Sequence, residues 1–440
     1  MWRNWAGDQQ CVPAAVEQPR NVDELRRIVE RARIAGSRVR AAGSGHSFTD
    51  IACTDGVMLR LDRLNRVLDA DRESGLVKVE AGIGLRELNP QLDRLGLAME
   101  NLGDIDAQTL AGALATGTHG TGIRLGNLSA QVEAMELVLG DGSVLDVSRQ
   151  SDPDTLRAAR VGLGALGIVA TVTLRCVPAF TLNRLDHPLP LAETLSRLDE
   201  LVESNDHFEF YTWPHGGIAL VRETTREDGP PQPWGRPRQW WEERFLENRV
   251  MSMLVRTGRR FPSQIPRLNR AVSRVLSGSR KVDRSFRVFA STRMIRFTEM
   301  EYGVPREAGA EALMRVLEVI ERRRFAVGFP IEVRFVGPDD AYLSPSNGRE
   351  TCYIAVHMFQ GMQWYPYFRA VESIMNEYGG RPHWGKRHFQ SAATLAPRYP
   401  EWDDFQMART RLDPDGVFAN EYTDRVLGRP HVRAQTATPA

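Results

Sequence analysis

RVRAAGSGHSFTD, residues 38–50, begins as a short strand-like run, breaks at Gly43-Ser44-Gly45 and delivers His46 just past the break. Glycines lack a Cβ, so backbone on either side of Ser44 can lie close against a ligand. The histidine that follows adds a ring nitrogen whose lone pair is free near neutral pH. Such a residue is either a hydrogen-bonded structural histidine or a nucleophile, and the surrounding sequence has to decide between them.

Around this turn, residues 21–35 carry helical apolar spacing, with Asn21 as N-cap and Gly36 as a stop. Strands are predicted at 38–42, 56–61 and 76–80, the last alternating apolar and charged residues. Residues 85–95 read as a helix that Pro90 interrupts or opens. Gly140-Asp141-Gly142 joins strands at 133–139 and 143–147, because that turn supplies the positive φ a tight hairpin needs. Such connections are too short for βαβ crossovers. An α+β domain with mixed sheets, ending near Pro178, is expected.

Past Pro178 the character changes. A helix over 191–204 and the strand-like FEFYTW, 208–213, lead to a proline-rich loop at 229–237. Between 249 and 287 stand eleven Lys or Arg against one acid, Asp283. That segment is either a solvated surface or a docking site for an acidic partner or anionic lipid. Residues 431–440 read as a disordered tail.

The bulk properties exclude several classes. A chain of 440 residues suggests two or three domains, and a net charge of +1 gives no pull toward nucleic acid. The N-terminus lacks the apolar stretch of a secretory signal, and no apolar run approaches the ~20 residues of a membrane-spanning helix. Cys11, Cys53, Cys176 and Cys352 form no C-x-x-C pair, which fits reduced thiols in a cytoplasmic protein.

Gly162-Leu163-Gly164-Ala165-Leu166-Gly167 is a literal G-x-G-x-x-G, yet a helical stretch precedes it and a strand follows. A dinucleotide fingerprint needs the reverse order, so a nicotinamide enzyme is not expected. These glycines can still let backbone lie against a flat ring. A second glycine cluster, AGALATGTHGTG at 111–122, resembles an anion nest of exposed N–H groups. His119 within it is structural or phosphate-adjacent, and no third residue completes a metal-ligand spacing around His46 or His119. In PIEVRF, Glu332 and Arg334 are two apart on a strand and share one face. Charges there are costly to bury unless paired or bound to a ligand. His357 lies in the apolar run CYIAVHMF, and RPHWGKRH, 381–388, gathers two histidines and three cations around Gly385.

Together, GSGHSFTDIACTDG (43–56), VEAGIGLRELNPQL (79–92), ATGTHGTG (115–122), GLGALGIVATVTLRCVP (162–178), PIEVRF (330–335), GRPHWGK (380–386) and LDPDGVFAN (412–420) carry a family resemblance. They resemble the aldonolactone oxidoreductases of the vanillyl-alcohol-oxidase, PCMH-type flavoprotein superfamily, among them L-gulono-1,4-lactone oxidases and dehydrogenases. The resemblance implies an FAD-binding domain of two α+β subdomains over 1–178. A cap domain over 179–375, an antiparallel sheet flanked by helices, holds substrate, and 376–430 closes the active site and returns to the FAD domain.

It also implies roles. His46 joins the flavin C8α methyl covalently, and Gly43, Ser44, Gly45, Ser47, Gly112, Gly117, Thr118, Gly122 and Ile168 contact the flavin. With no cysteine in 111–122, a second covalent link is not expected. The substrate is an aldono-1,4-lactone oxidised at its C2 hydroxyl by hydride transfer to the flavin, giving an ascorbate-type product. Arg334 supplies positive charge against the reduced flavin, Lys386 orients or polarises the reacting hydroxyl, Glu332 accepts bonds from substrate hydroxyls, and His357 lines the pocket. Phe359 stands where alditol-oxidising relatives carry a small hydroxylated residue, which favours a lactone over an open-chain polyol. Electrons pass to O2 or to a protein such as cytochrome c. The basic segment leans toward a protein acceptor and allows peripheral membrane contact.

Overall fold

The computed structural model describes residues 1–239, 249, 251–290 and 295–430. The expected tail at 431–440 lies outside them. A first layer is a three-stranded parallel sheet: β1 (Ala15–Glu17) and β2 (Val39–Ala41) flank β3 (Val57–Leu59), with α1 (Val22–Ile34) between β1 and β2 in the chain. α1 starts where the Asn21 side chain accepts the Glu24 N–H at 2.8 Å, and acids in its first turn and arginines in its last favour the helix dipole. Its buried stripe, Leu25, Ile28, Val29 and Ala32, packs with Val39 and Leu59.

A second layer is a five-stranded antiparallel sheet. In spatial order it runs from Val144–Ser148 through Val132–Val138, Ile168–Arg175 and Leu76–Glu80 to Val67–Ala70. The G-D-G hairpin pairs Val138 with Val144 as expected. Helix Leu85–Arg94 runs through Pro90 unbroken, a correction to the sequence reading. Pro90 and Arg86 are both exposed, so the carbonyl that proline leaves unpaired is open to water.

The rest of the chain builds an eight-stranded antiparallel sheet. Its order is Ser279–Arg284, Thr181–Pro190, Ile218–Glu227, His207–Thr212, Ile331–Val336, Thr351–Phe359, Phe297–Pro305, Arg381–Pro382. The helix expected over 191–204 is two, Leu191–Ser196 and Leu198–Ser204, broken at Arg197. Alternation divides the sheet's faces. Phe208, Phe210, Val333, Phe335, Ile354, Val356, Met300 and Tyr302 face helices Gly309–Arg322 and Tyr365–Glu377 in one apolar core. Their neighbours in sequence, Glu209, Tyr211, Glu332, Arg334, His357, Glu299 and Glu301, share the opposite face.

After this sheet the chain returns to the first two layers. Trp384, Leu395, Tyr399, Phe405 and Tyr422 share a core with Val77, Leu88, Leu114 and Leu137. Backbone bonds stitch the return: Val39 N–H to Val417 O at 2.8 Å, and Phe48 N–H to Gly385 O at 2.7 Å. The second bond sets the loop carrying Lys386 beside the loop carrying His46.

Candidate active site

Two cavities meet at His46. One is a cleft of about 1160 Å³ bounded by three loops: Gly43–Ser47, the segment around Thr109, Gly112 and Thr116, and Gly162–Gly167 with Ile168. Its walls are apolar, including Leu61, Leu114, Met135 and Leu137. The first two loops touch: a Cβ on Gly43 would fall 2.3 Å from Thr109 Oγ1. Gly45 takes φ +73°, which turns the chain so that His46 projects at the junction.

The cleft's single charged lining residue is Arg40. Its guanidinium donates five bonds to carbonyls: two to Ile51, and one each to Leu163, Gly164 and Phe418, at 2.8–3.1 Å. Among the described residues no carboxylate forms an ion pair with it. Burial pushes it down to about 10, still charged at neutral pH. A slit with apolar walls, close backbone and one buried cation suits a long ligand with flat rings joined by anionic groups. FAD meets that description.

The second cavity, about 1030 Å³, shares His46, Ser47, Gln108 and Thr116 with the first. Its floor is the polar face of the eight-stranded sheet, where cross-strand register builds an ionic ladder. Glu209 pairs opposite Arg334, Tyr211 opposite Glu332, and Glu299 opposite His357. Arg334 donates to Glu332, to Glu209 at 2.9 Å, and lies 3.4 Å from Asp104. Tyr211 O–H donates to Glu332 at 2.7 Å, and Arg222 links Glu209 to Asp186. Burial alone would lower Arg334, but Glu332, Asp104 and Glu209 outweigh it and hold the cation well above its ordinary range.

Lys386 Nζ bonds Glu299, whose other oxygen lies 3.4 Å from His357 Nε2. Burial opposes charge on all three, yet the cluster overcomes it. Glu299 is held below the carboxylate range by Lys386 and His357, Lys386 is raised by Glu299 and Glu301, and His357 is raised by Glu299. His46 goes the other way: burial, then Lys386 and Arg86, push it down to about 4, so its ring is neutral. Trp5 stacks on it at 5.3 Å. Trp5, Phe48, Phe297 and Phe329 form the pocket's aromatic wall.

The expected site residues thus distribute unevenly. Glu332, Arg334, His357 and Lys386 come together in the pocket. Gly43, Ser44, Gly45, Ser47, Gly112 and Ile168 line the cleft. Thr118 lies in the pocket instead, and Gly117 and Gly122 line neither cavity. Gly117 turns the chain after the short helix Leu110–Ala115, and Gly122 donates its N–H to Phe335 O. Phe359 is not in the pocket either; its ring packs under Arg259, so the case it made against polyols loses its footing.

The third partner not found for His119 by spacing does exist in space: Glu301 and His383 lie with it. The Nδ1 atoms of both histidines are engaged outside the trio. His383 Nδ1 accepts the Gly385 N–H at 3.0 Å, so its proton sits on Nε2, and His119 faces Gly120 O with Nδ1 and Glu301 with Nε2. The basic segment divides as well. Arg284 pairs with Asp93 and Lys281 is buried, while Arg256, Arg259, Arg260, Arg267, Arg270 and Arg274 stay exposed on helices Met251–Arg260 and Ile265–Val275. No helix among the described residues is long and apolar enough to cross a membrane.

Arg40, Glu299, Glu301, Asp104 and Tyr211 escaped the sequence reading. The signal for three of them was there: TEMEY, 298–302, and VRA, 39–41, carry charge inside apolar strands as PIEVRF does.

Comparison with known proteins gives these cavities a context. A family profile for D-arabinono-1,4-lactone oxidase matches residues 172–426, and an FAD binding domain profile matches 13–148. The chain is 54% identical over 428 residues to an L-gulono-1,4-lactone dehydrogenase of Mycobacterium tuberculosis, covering 97% of this chain and 99% of that one. It is 36% identical to the L-gulonolactone oxidase of Mus musculus over 97% and 98% of the two chains. Among solved structures, cholesterol oxidase from B. sterolicum superposes with a TM-score of 0.82 over 97% and 96% of the chains at 17% identity, a likeness of fold.

Proposed function

Because the chain belongs to the D-arabinono-1,4-lactone oxidase family of FAD-dependent oxidoreductases, we propose that it oxidises an aldono-1,4-lactone at C2, L-gulono-1,4-lactone first among candidates, to an ascorbate-type product. The observation that carries this reading is the junction at His46, where a cleft suited to FAD opens onto a pocket holding Glu332, Arg334 and Lys386. FAD binding falls to residues 1–178, the substrate sheet to 179–375 and closure to 376–430.

Bound FAD supplies the acceptor for the hydride that leaves the carbinol carbon. The protein does the rest. Glu332 is oriented by Tyr211 and Arg334 to accept from substrate hydroxyls. Lys386 donates to the reacting oxygen, and Arg334 adds fixed positive charge where the site gains electrons. The aromatic wall keeps water away and strengthens each of these interactions. His46, neutral and stacked on Trp5, is the residue we assign to covalent attachment of the cofactor. Acid-precipitated protein should keep its yellow colour in the pellet, and His46→Ala should release it.

Relatives named dehydrogenase and oxidase leave two acceptors, O2 and a protein such as cytochrome c. The exposed arginines of Met251–Arg260 and Ile265–Val275 support a docked acceptor or an anionic membrane surface, in a cytoplasmic enzyme. A panel of aldonolactones and polyols, run in air and under nitrogen with added cytochrome c, tests the whole reading. Faster turnover on polyols would make the enzyme an alditol oxidase, and no bleaching with either class would make it a non-catalytic flavoprotein.

A further inference from the structure

Oxidising a carbinol removes a hydride and a proton, and the pocket must take the proton. Most of its groups are committed. Arg334 is permanently charged. Glu332 Oε1 already accepts from Tyr211 and Arg334. His119 uses both ring nitrogens, and His383 carries its proton on Nε2 because Nδ1 accepts from Gly385. His357 has Nδ1 at 3.3 Å from Pro330 O and Nε2 on Glu299. Glu301 faces His119 Nε2 and Asp104 faces Arg334, which leaves Lys386 bonded to Glu299.

We propose that Glu299, acting through Lys386, receives the hydroxyl proton of the substrate. This rests on the reading of the site as a carbinol oxidase. In the step, the substrate O–H proton moves to Lys386 Nζ while Lys386 passes one of its own to Glu299. The C–H electron pair leaves as hydride to FAD, and the C=O bond forms. Lys386 ends as it began, an ammonium, and Glu299 ends as a carboxylic acid. A carboxylate held below its ordinary range is still base enough, because the proton becomes strongly acidic as the hydride departs.

The fold supports the pairing by more than one contact. Strand Phe297–Pro305 carries Glu299 and Glu301, and its backbone accepts the Arg387 N–H at Glu299 O, 2.8 Å, and the His383 N–H at Glu301 O, 3.0 Å. The loop bearing Lys386 is thus fastened along the strand bearing its partner. The titratable groups facing Glu299 include Lys386, His357, Glu301 and His383; those facing Lys386 include Glu299, Glu301, Asp104, His46 and His383; those facing His357 include Glu299, Glu332 and Lys386.

The test compares Glu299→Gln, which keeps the shape and a bond to Lys386, with Glu299→Asp, which keeps the base. Glu299→Gln is expected to lower kcat about 100-fold or more, the usual worth of a positioned base, with KM changed far less. Its kcat should rise with pH along a limb the wild type lacks, since Lys386 without its nearest anion loses its own proton more easily and takes over. Glu299→Asp should recover part of the rate and the wild-type profile. Infrared difference spectra on anaerobic substrate addition should show a new protonated carboxyl in the wild type and none in Glu299→Gln. Wild-type kcat and profile in Glu299→Gln would overturn the relay, as would transfer of the new limb to Asp104→Asn. Wild-type protein that oxidises a carbinol other than a lactone would overturn only the substrate assignment, the same variants then being compared on that carbinol. Wild-type protein that oxidises none would overturn both.

Discussion

The cleft behind His46 is lined by one charged side chain, Arg40, while the pocket in front holds Asp104, Glu299, Glu301, Glu332, Arg334 and Lys386. The two stand on either side of a single imidazole and are built by opposite means. The cleft works with backbone and apolar walls, so its affinity comes from contact area and from loops that approach closely. The pocket works with side-chain charge, and its buried charges are tolerable because partners are held by strand register, as Glu209 opposite Arg334 and Glu299 opposite His357, or by a loop fastened along a strand, as Lys386 is. Removing a residue from the cleft should therefore lower cofactor retention, whereas removing one from the pocket leaves an uncompensated charge at the reacting centre.

The largest effect should come from Arg334→Leu. Glu332, Glu209 and Asp104 lose a shared cation, so kcat should fall at least about 1000-fold and stability by about 3–5 kcal/mol. Turnover with lactone and a urea titration check the two numbers separately. Retention of more than a tenth of the wild-type rate would mean that the ladder is scaffolding and not chemistry.

Arg40→Leu strikes the cleft. Its loss orphans the carbonyls of Leu163, Gly164 and Phe418, each worth about 1–3 kcal/mol if left dry, while Ile51 O keeps the Asn420 amide at 3.0 Å. Relaxation and water reduce the sum, and about 3–4 kcal/mol of destabilisation with poor flavin content is expected. Gly43→Ala is milder, about 1–3 kcal/mol, because its Cβ would meet Thr109 Oγ1 at 2.3 Å. Flavin content should recover in Gly43→Ala/Thr109→Ala, since the clashing hydroxyl is gone. A double variant as poor as the single one would place the fault in the turn and not in the contact.

The same contrast explains what could be read from the chain. Residues 43–47 announce the cleft because glycine, serine and histidine must be adjacent to make that turn; the information is local. The helix at 22–34 and the G-D-G hairpin are legible for the same reason. The pocket is different. Glu299 and Glu332 are on strands that sit two apart in the sheet, and Tyr211 reaches Glu332 across 121 residues of chain, a separation that no periodicity reports. Charge inside an apolar strand and a cationic loop singled out Glu332, Arg334 and the segment holding Lys386, but their roles in one site came only through family resemblance. Phe359 shows its limit: a position carried over from the resemblance has its ring against Arg259 and outside the pocket lining.

The smallest expected effect concerns acid. His383, buried, and His388, half-buried, are pushed down to about 3, and His46 to about 4, in each case chiefly by desolvation. Their folded values lie below the unfolded value near 6.5, so the folded state resists the protons that the unfolded chain takes up. Stability they contribute is complete above about pH 6.5 and is lost as pH falls toward 3–4. At pH 5.5 each costs about 1.4 kcal/mol by linkage. His357 has the opposite sign: raised by Glu299, it stabilises below about pH 6.5 and gives that up as pH rises through its folded value. His388 lines neither cavity, its Nε2 meeting Tyr422 O–H at 3.0 Å, so His388→Gln separates this linkage from catalysis. Its denaturation midpoint should fall less between pH 7 and 5.5 than the wild type's, by about 1 kcal/mol. An unchanged slope would mean that His388 takes up its proton in the folded state, and that the acid sensitivity belongs to the two histidines at the cavities.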